Sequence, residues 1–288
     1  AVCGYGTNWS GAVILQSSDG MAFNALTTLF DCTTIGTSLR GLSDSESWVM
    51  DDKNTLTVQL FSGVLESITC EQLLQGDNLA CVGEELIQFQ DAVLNNNGDM
   101  VLSTLVRGRL GTEHKINQHQ TVEPFVLLNR NLLEHIQVDN SIIGQSQIFK
   151  AVTLGMLASS VVGDKFCFKA KGLMPFAPVH LSATRSTNYS LTLTWKRRNR
   201  IDGQWRDLVD VPMSESFEVY EVDIIRNSQV VKTFSDVRPN SSNTPNPRII
   251  YYASEQSADG FTPGQSIEVV VYQLSVVVGR GFPGRAVV

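Results

Sequence analysis

Four stretches of this chain carry residue types that can do chemistry. Arg107-Gly108-Arg109-Leu110-Gly111-Thr112-Glu113-His114 sets a histidine beside a carboxylate. Neighbours in sequence seldom converge on one point, and no nucleophile with its own base accompanies them, so the stretch reads as a turn opened by its glycines. The acidic pairs Asp51-Asp52 and Glu84-Glu85 invite glycoside hydrolysis, which needs two carboxylates about 5 to 9 Å apart across a cleft. Adjacent residues on a strand point to opposite faces, so neither pair supplies that geometry by itself. Gly279-Arg280-Gly281-Phe282-Pro283-Gly284 formally matches G-x-G-x-x-G. A dinucleotide site needs a helix after it, whereas only Arg285 to Val288 follow and Pro283 sits inside. The glycines read instead as a bent final strand or bulge.

The fourth stretch is basic. Lys196, Arg197, Arg198 and Arg200, with Trp205 close behind, combine guanidinium forks that bind phosphate or carboxylate with an aromatic stacking surface. They form the candidate contact site, for an anionic glycan above all. The alternative is a solvated hairpin loop paired with Asp202, Asp207 and Asp210. No residue is assigned a catalytic, cofactor-binding or metal role. The five cysteines Cys3, Cys32, Cys70, Cys81 and Cys167 show no metal-ligand spacing, and with four histidines a zinc site has little to build on. They read as buried thiols, a Cys70 to Cys81 disulfide remaining the alternative.

The elements that must position these groups are strands. The chain has 288 residues, 42% hydrophobic and 18% charged, which suits two globular domains. From Lys171 onward there are 13 basic and 11 acidic residues, leaving 9 basic and 18 acidic before it. The acidic first part repels phosphate backbones, so nucleic acid is not an expected partner. No run of 18 apolar residues exists, so no membrane span is expected, nor a signal peptide. A chain opening AVCGYG with its first methionine at Met21 is expected to be a piece of something longer.

Helical periodicity is scarce and short β-type runs recur, so the expected class is all-β. Residues 85–94 and 100–107 flank NNNGD, where Asn97-Gly98 tolerates the positive φ angles of a tight hairpin turn. Further strands are expected at 11–16, 55–61, 122–128, 146–154 and 165–170, with a short helix near Glu71–Leu74 capped by Ser67 or Thr69. Residues 1–170 are expected to form a β-rich barrel- or sandwich-like domain, in which Tyr5, Trp9 and Trp48 are either sugar-stacking surfaces or core and interface aromatics.

After about residue 171 the text changes. LMPFAPVHLSA brings two prolines within a few residues, a stiff entry into a second domain spanning 171–288. Leu191, Leu193 and Trp195 alternate, as do Tyr220, Val222 and Ile224, and Ile267, Val269 and Val271, which requires two facing sheets. This part resembles fibronectin type III domains in its Pro-led first strand, its buried-Trp strand and its late long strands. It departs from them at the corner before the long sixth strand, where Ile267 stands in place of a tyrosine.

Read in order, EELIQFQDAVL, LVRGRLGTE, FVLL, MPFAPVHLSA, LTLTWKRRNRIDGQW, YEVDII and QLSVVVGRGFPGRAVV resemble the C-terminal portion of the large tail-tip hub (baseplate) proteins of long-tailed phages and gene transfer agents. The resemblance runs from about residue 50 to the end. It implies a virion component at the distal end of the tail, assembled in the bacterial host cytoplasm. It implies other tail-tip and baseplate proteins as partners, and a homotrimer in the full-length protein. Contact with a host surface glycan or outer-membrane receptor follows from the same resemblance. The expected function is therefore structural and host-contacting, not enzymatic. The alternatives are a carbohydrate-binding module recognising host glycan and a polysaccharide depolymerase.

Overall fold

The structure, a computed structural model, describes residues 1–4, 9–201, 211–239 and 246–288. The chain divides into two compact units, Ala1–Lys169 and Ala170–Val288. Both are built from antiparallel strands, so the protein is all-β. Among the described residues no helix is long and apolar enough to cross a membrane.

In the first unit, β1 (Ala12–Ser17) and β2 (Asn24–Leu29) precede the barrel strands β3 (Ile35–Ser38) and β4 (Leu56–Ser62). Helix α1 (Cys70–Gln75) follows, capped by Thr69, whose side chain accepts from Gln72 N, and closed by Gly76 at φ +99°. Then come β5 (Leu79–Val82), β6 (Glu85–Leu94), β7 (Met100–Val106) and β8 (Pro124–Leu127). Strands β9 (Ser146–Thr153) and β10 (Asp164–Cys167) return to the first pair, giving a sheet ordered β10-β9-β1-β2. The other six close into a barrel, β3-β4-β7-β6-β5-β8, which leaves no open edge.

Leu56, Val58, Ala80, Val82, Ile87, Phe89, Leu102, Leu105 and Phe125 fill the barrel. Burying side chains of this size is worth roughly 1.5–3 kcal/mol each, and that burial is what makes closure favourable. The β6–β7 hairpin is present, but its turn differs from the expected one. Only Gly98 takes a positive φ (+85°), with Gly98 N donating to Asn95 O, so Asn97 is an ordinary turn residue followed by a left-handed glycine. A second irregularity has larger consequences. Phe89 pairs with Leu105 and Asp91 with Ser103, so Gln90 and Thr104, the latter at φ +54°, are skipped together and the register of the hairpin is unchanged. The strand nevertheless changes face there, since Leu102 and Leu105, three residues apart, are both fully buried. Leu105 enters the core, and Arg107, two residues on, points the same way.

The second unit contains β11 (Val179–Arg185), β12 (Leu191–Lys196), β13 (Tyr220–Arg226), β14 (Gln229–Val237), β15 (Arg248–Tyr251), helix α2 (Ala253–Ala258), β16 (Glu268–Ser275), β17 (Gly279–Arg280) and β18 (Gly284–Val287). One sheet is β11-β12-β15; the other is β14-β13-β16-β17, with β18 also on β16. This is a fibronectin type III-like sandwich. Leu191, Leu193, Trp195, Tyr220, Val222, Ile224, Ile267, Val269 and Val271 all belong to its core. Trp195 packs edge-on against Tyr220 at 5.3 Å between ring centroids.

Where a corner tyrosine is missing, two other ties operate. Ile267 and Val288 exchange both backbone hydrogen bonds, and the Tyr251 hydroxyl donates to Asp259 at 2.6 Å, past α2. The final strand is interrupted between β17 and β18, where its pairing with β16 shifts by one residue, the bulge alternative that its glycines suggested. A Cβ on Gly281 would lie 2.6 Å from Pro175 O, and one on Gly284 would lie 2.5 Å from Pro178 O, so the Pro-led entry runs too close for any side chain.

Candidate functional site

Arg107, just past the change of face at Thr104, lies at one rim of the barrel, where five titratable side chains meet. Glu85 opens β6, Arg107 follows β7, Asp51 forms an isolated bridge with Leu105, and His119 and Glu123 immediately precede β8. The Arg107 side chain is 0% exposed, as is that of Glu85, while Asp51 is 2% and His119 2% exposed. A guanidinium has five N–H donors, and here each has an acceptor. Nε donates to Glu85 Oε1 at 3.0 Å, Nη2 to Glu85 Oε2 at 2.8 Å and Ile116 O at 3.3 Å. Nη1 donates to Asp51 Oδ2 at 3.2 Å and to Ser43 O at 3.0 Å.

Glu85 is equally occupied. It accepts from Gly108 N at 2.6 Å and meets His119 Nε2 at 2.5 Å, besides its fork with Arg107. The other ring nitrogen, Nδ1, lies 2.6 Å from Glu123 Oε2. Asp51 also accepts from Asn54 N at 3.0 Å and Asn54 Nδ2 at 2.8 Å.

These contacts set the ionisation of the cluster. Burial pushes the Glu85 carboxyl up, but the bonds from His119, Arg107 and Gly108 outweigh it and hold the group below its usual range. Burial likewise pushes Asp51 up, and the bonds from Asn54, Ser45 and Arg107 bring it down. For His119 burial pulls the pKa down, yet the bonds to Glu85 and Glu123 and the charges of those carboxylates raise it above the ordinary value. The cluster is charged, saturated and sealed, which suits it to holding backbone segments in place. A polysaccharide has no access to Glu85.

The sequence motifs are distributed accordingly. Each acidic pair is split across two faces: Asp51 and Glu85 are buried, while Asp52 is exposed and Glu84 pairs with Lys115 at the surface. The turn after Arg107 runs through Gly108 at φ +61° and two short 3-10 turns, with Thr112 Oγ1 accepting from Leu86 N at 3.0 Å. His114 is not part of the cluster. His119 and Glu123 are, and no motif singled them out; their i,i+4 spacing was the available signal.

Beside the rim, residues Asp44, Ser45, Glu46, Val49, Met50 and Asp51 to Asn54 line a cleft of about 440 Å³. Trp48, within the same loop, is 77% exposed, and Trp9 is half-buried. Tyr5 lies outside the described residues.

The basic run of the second unit is largely turned inward. Arg197 pairs with Glu218 at 2.7 Å and donates to Val211 O at 2.7 Å; Arg200 reaches Glu215 at 3.2 Å. Arg198 lies over the Phe176 ring at 5.0 Å. Lys196 is exposed at the end of β12. Trp205, together with Asp202, Asp207 and Asp210, lies outside the described residues, so the acids seen with the arginines are Glu215 and Glu218. Arg280 of the glycine-rich stretch lies over Tyr272 at 4.5 Å and binds Glu221 and Asp223, both at 2.6 Å. Gly279 and Gly284 lie on strands and Gly281 lies between them. Among the described residues no group of three or more His, Cys, Asp or Glu side chains could hold a metal ion.

Comparison with known proteins adds one positive match. Residues 33–126 match the family described as Rcc01698-like, C-terminal, a gene transfer agent-associated protein name. The matched span is less than half of the chain, and it coincides with the barrel, from the residues before β3 to the third residue of β8. No curated protein matches the chain. Among solved structures, the crystal structure of chicken CNTN1 FN1-FN3 domains is 8% identical, covering 96% of this chain and 90% of that one with a TM-score of 0.26, a likeness too slight to bear on function.

Proposed function

We propose that this chain is a structural and host-contact segment of the tail tip of a phage or gene transfer agent, carried at the distal end of the tail and acting without catalysis. The observation that carries the reading is the coincidence of the gene transfer agent-associated match with one closed barrel whose rim is locked by a saturated ion network. A barrel with no open edge and a sandwich with tied ends are rigid presenters, and their loops are free to vary and bind. Other tail-tip and baseplate proteins are the expected partners, with a homotrimer in the full-length protein. Gold labelling of this chain on intact particles tests the reading: label at the tail's far end supports it, and label confined to the head sinks it.

A second reading has its own support. The cleft at residues 44–54 combines carboxylates and Asn54 with the exposed indole of Trp48 nearby, a mixture that suits sugar hydroxyls and a sugar face. Glycan-array binding abolished by Trp48→Ala would support a carbohydrate-binding module, and an empty array would remove it.

A further inference from the structure

We propose that residues 108–123 form a pH-operated strap, latched across the barrel rim by a single charge on His119 and released when that charge is lost. The strap contains only short 3-10 turns, so no strand ladder secures it. Its near end is held by Thr112 on Leu86 N and by Ile116, which is 5% exposed and whose carbonyl accepts from Arg107. Its far end is held by Glu123, whose carbonyl accepts from Ser38 N and whose N–H donates to Ser38 Oγ, and by His119.

Both ring nitrogens of His119 face carboxylate oxygens, at 2.5 and 2.6 Å. Only the imidazolium can donate from both; the neutral ring must set a lone pair against one of them. The groups facing it are Glu85 from β6 and Glu123 from the strap's end. Arg107 lies beyond Glu85, and Asp51 lies beyond Arg107. Arg109, Glu113, His114 and Lys115 are the strap's other charged or titratable groups, and Lys115 pairs with Glu84. Three carboxylates against two cations leave the cluster at −1, and a neutral His119 takes it to −2 in a site nearly without water.

Glu85 cannot yield, because Arg107 and Gly108 hold both its oxygens. Glu123, 15% exposed, can swing outward, so the His119–Glu123 contact opens first and takes the strap's second half with it. The sign follows from the raised pKa of His119: the latch is complete below the ordinary histidine value and is lost as pH rises through the higher folded-state value.

The test uses the intact chain. Imidazole NMR follows His119 while hydrogen exchange, corrected for intrinsic base catalysis, follows residues 112–123 from about pH 6 to about pH 9.5. The expected result is a doubly protonated ring at the acid end and a loss of strap protection of about tenfold or more as the ring titrates, with β6 and β7 unchanged. Glu123→Gln should move the midpoint down, and His119→Gln should leave the strap's protection independent of pH in that range. A ring already neutral at about pH 6, or strap protection flat across the His119 titration, overturns the proposal on the unmodified protein alone.

Discussion

Removing the Arg107 guanidinium is the sharpest perturbation of the barrel. Arg107→Met keeps an unbranched apolar stem but leaves Glu85 and Asp51 without their shared cation, and strands the carbonyls of Ser43 and Ile116. Deleting one partner of a buried pair costs about 3–5 kcal/mol, because an uncompensated charge stays behind. Set against a usual total of about 5–15 kcal/mol for a domain, that is enough to raise the unfolded fraction of the barrel by about two to four orders of magnitude. Two units need not melt together, so the readout is hydrogen exchange in native buffer, comparing peptides of β6 and β7 with those of β13 and β16. Protection should fall by about two to four orders of magnitude in the barrel, with the sandwich strands unaffected. Adding Glu85→Gln should recover part of the loss, because much of the cost is the stray charge itself. A loss below about 1 kcal/mol, or a double variant worse by the sum of the two single changes, would show that the rim is not a sealed charged cluster.

Trp195→Ala, at the centre of the sandwich core, should cost about 3–5 kcal/mol and open residues 170–288 to limited proteolysis while the barrel stays resistant. Gly281→Ala drives a Cβ into Pro175 O and should lower the thermal midpoint of the sandwich by several degrees, a cost of about 1–3 kcal/mol. On the acid side, the lowered pKa values of Glu85 and Asp51 mean that their stabilisation, present above about pH 4.5, is lost as pH falls through their folded-state values; Glu85→Gln should flatten that limb of a urea-midpoint profile. If the basic run touches anionic host glycan, Lys196→Ser with Arg198→Ser should weaken particle adsorption and its salt sensitivity together, and unchanged adsorption at both low and high salt would rule the contact out.

Strand positions were legible where hydrophobic periodicity was strong. Leu191, Leu193 and Trp195 had to face a core, and they do, because period-two burial is a local property. The short strands β2, β3 and β5 were not foreseen: four to six residues with small or polar side chains carry too little pattern, and barrel closure, a long-range event, is what recruits them. The rim cluster was unreadable for a related reason. Asp51 and Glu85 were noticed as acids and Arg107 as part of a turn, but they meet only in the closed barrel, where β7 changes face at the left-handed Thr104 and Arg107 turns inward with Leu105. The arginines of the basic run looked like a loop facing solvent, whereas Arg197 and Arg200 spend much of their charge on Glu218 and Glu215, acids more than a dozen residues away.

The rim network bears on why a barrel of this kind keeps five ionisable groups where apolar side chains would fit. Well-packed hydrophobic residues of similar volume are often as stabilising as a buried ion cluster, or more so, and total stability is therefore a poor reason for it. Direction is a better one. An apolar plug accepts many arrangements of the segments above it, whereas a guanidinium with five donors spoken for accepts one. Ser43 and Asp51 come from the loop before β4, and Gly108, Ile116, His119 and Glu123 from the segment before β8, and each is tied to the others through Arg107, Glu85 or His119. The loop before β4, with its exposed Trp48 and its cleft, is thereby fixed on one side by Asp51, and the strap before β8 by His119. The same charges that give the rim a single geometry also make the strap's hold conditional on one proton. On the proposed reading, residues 33 to 126 form a stiff presenter with one titratable fastening.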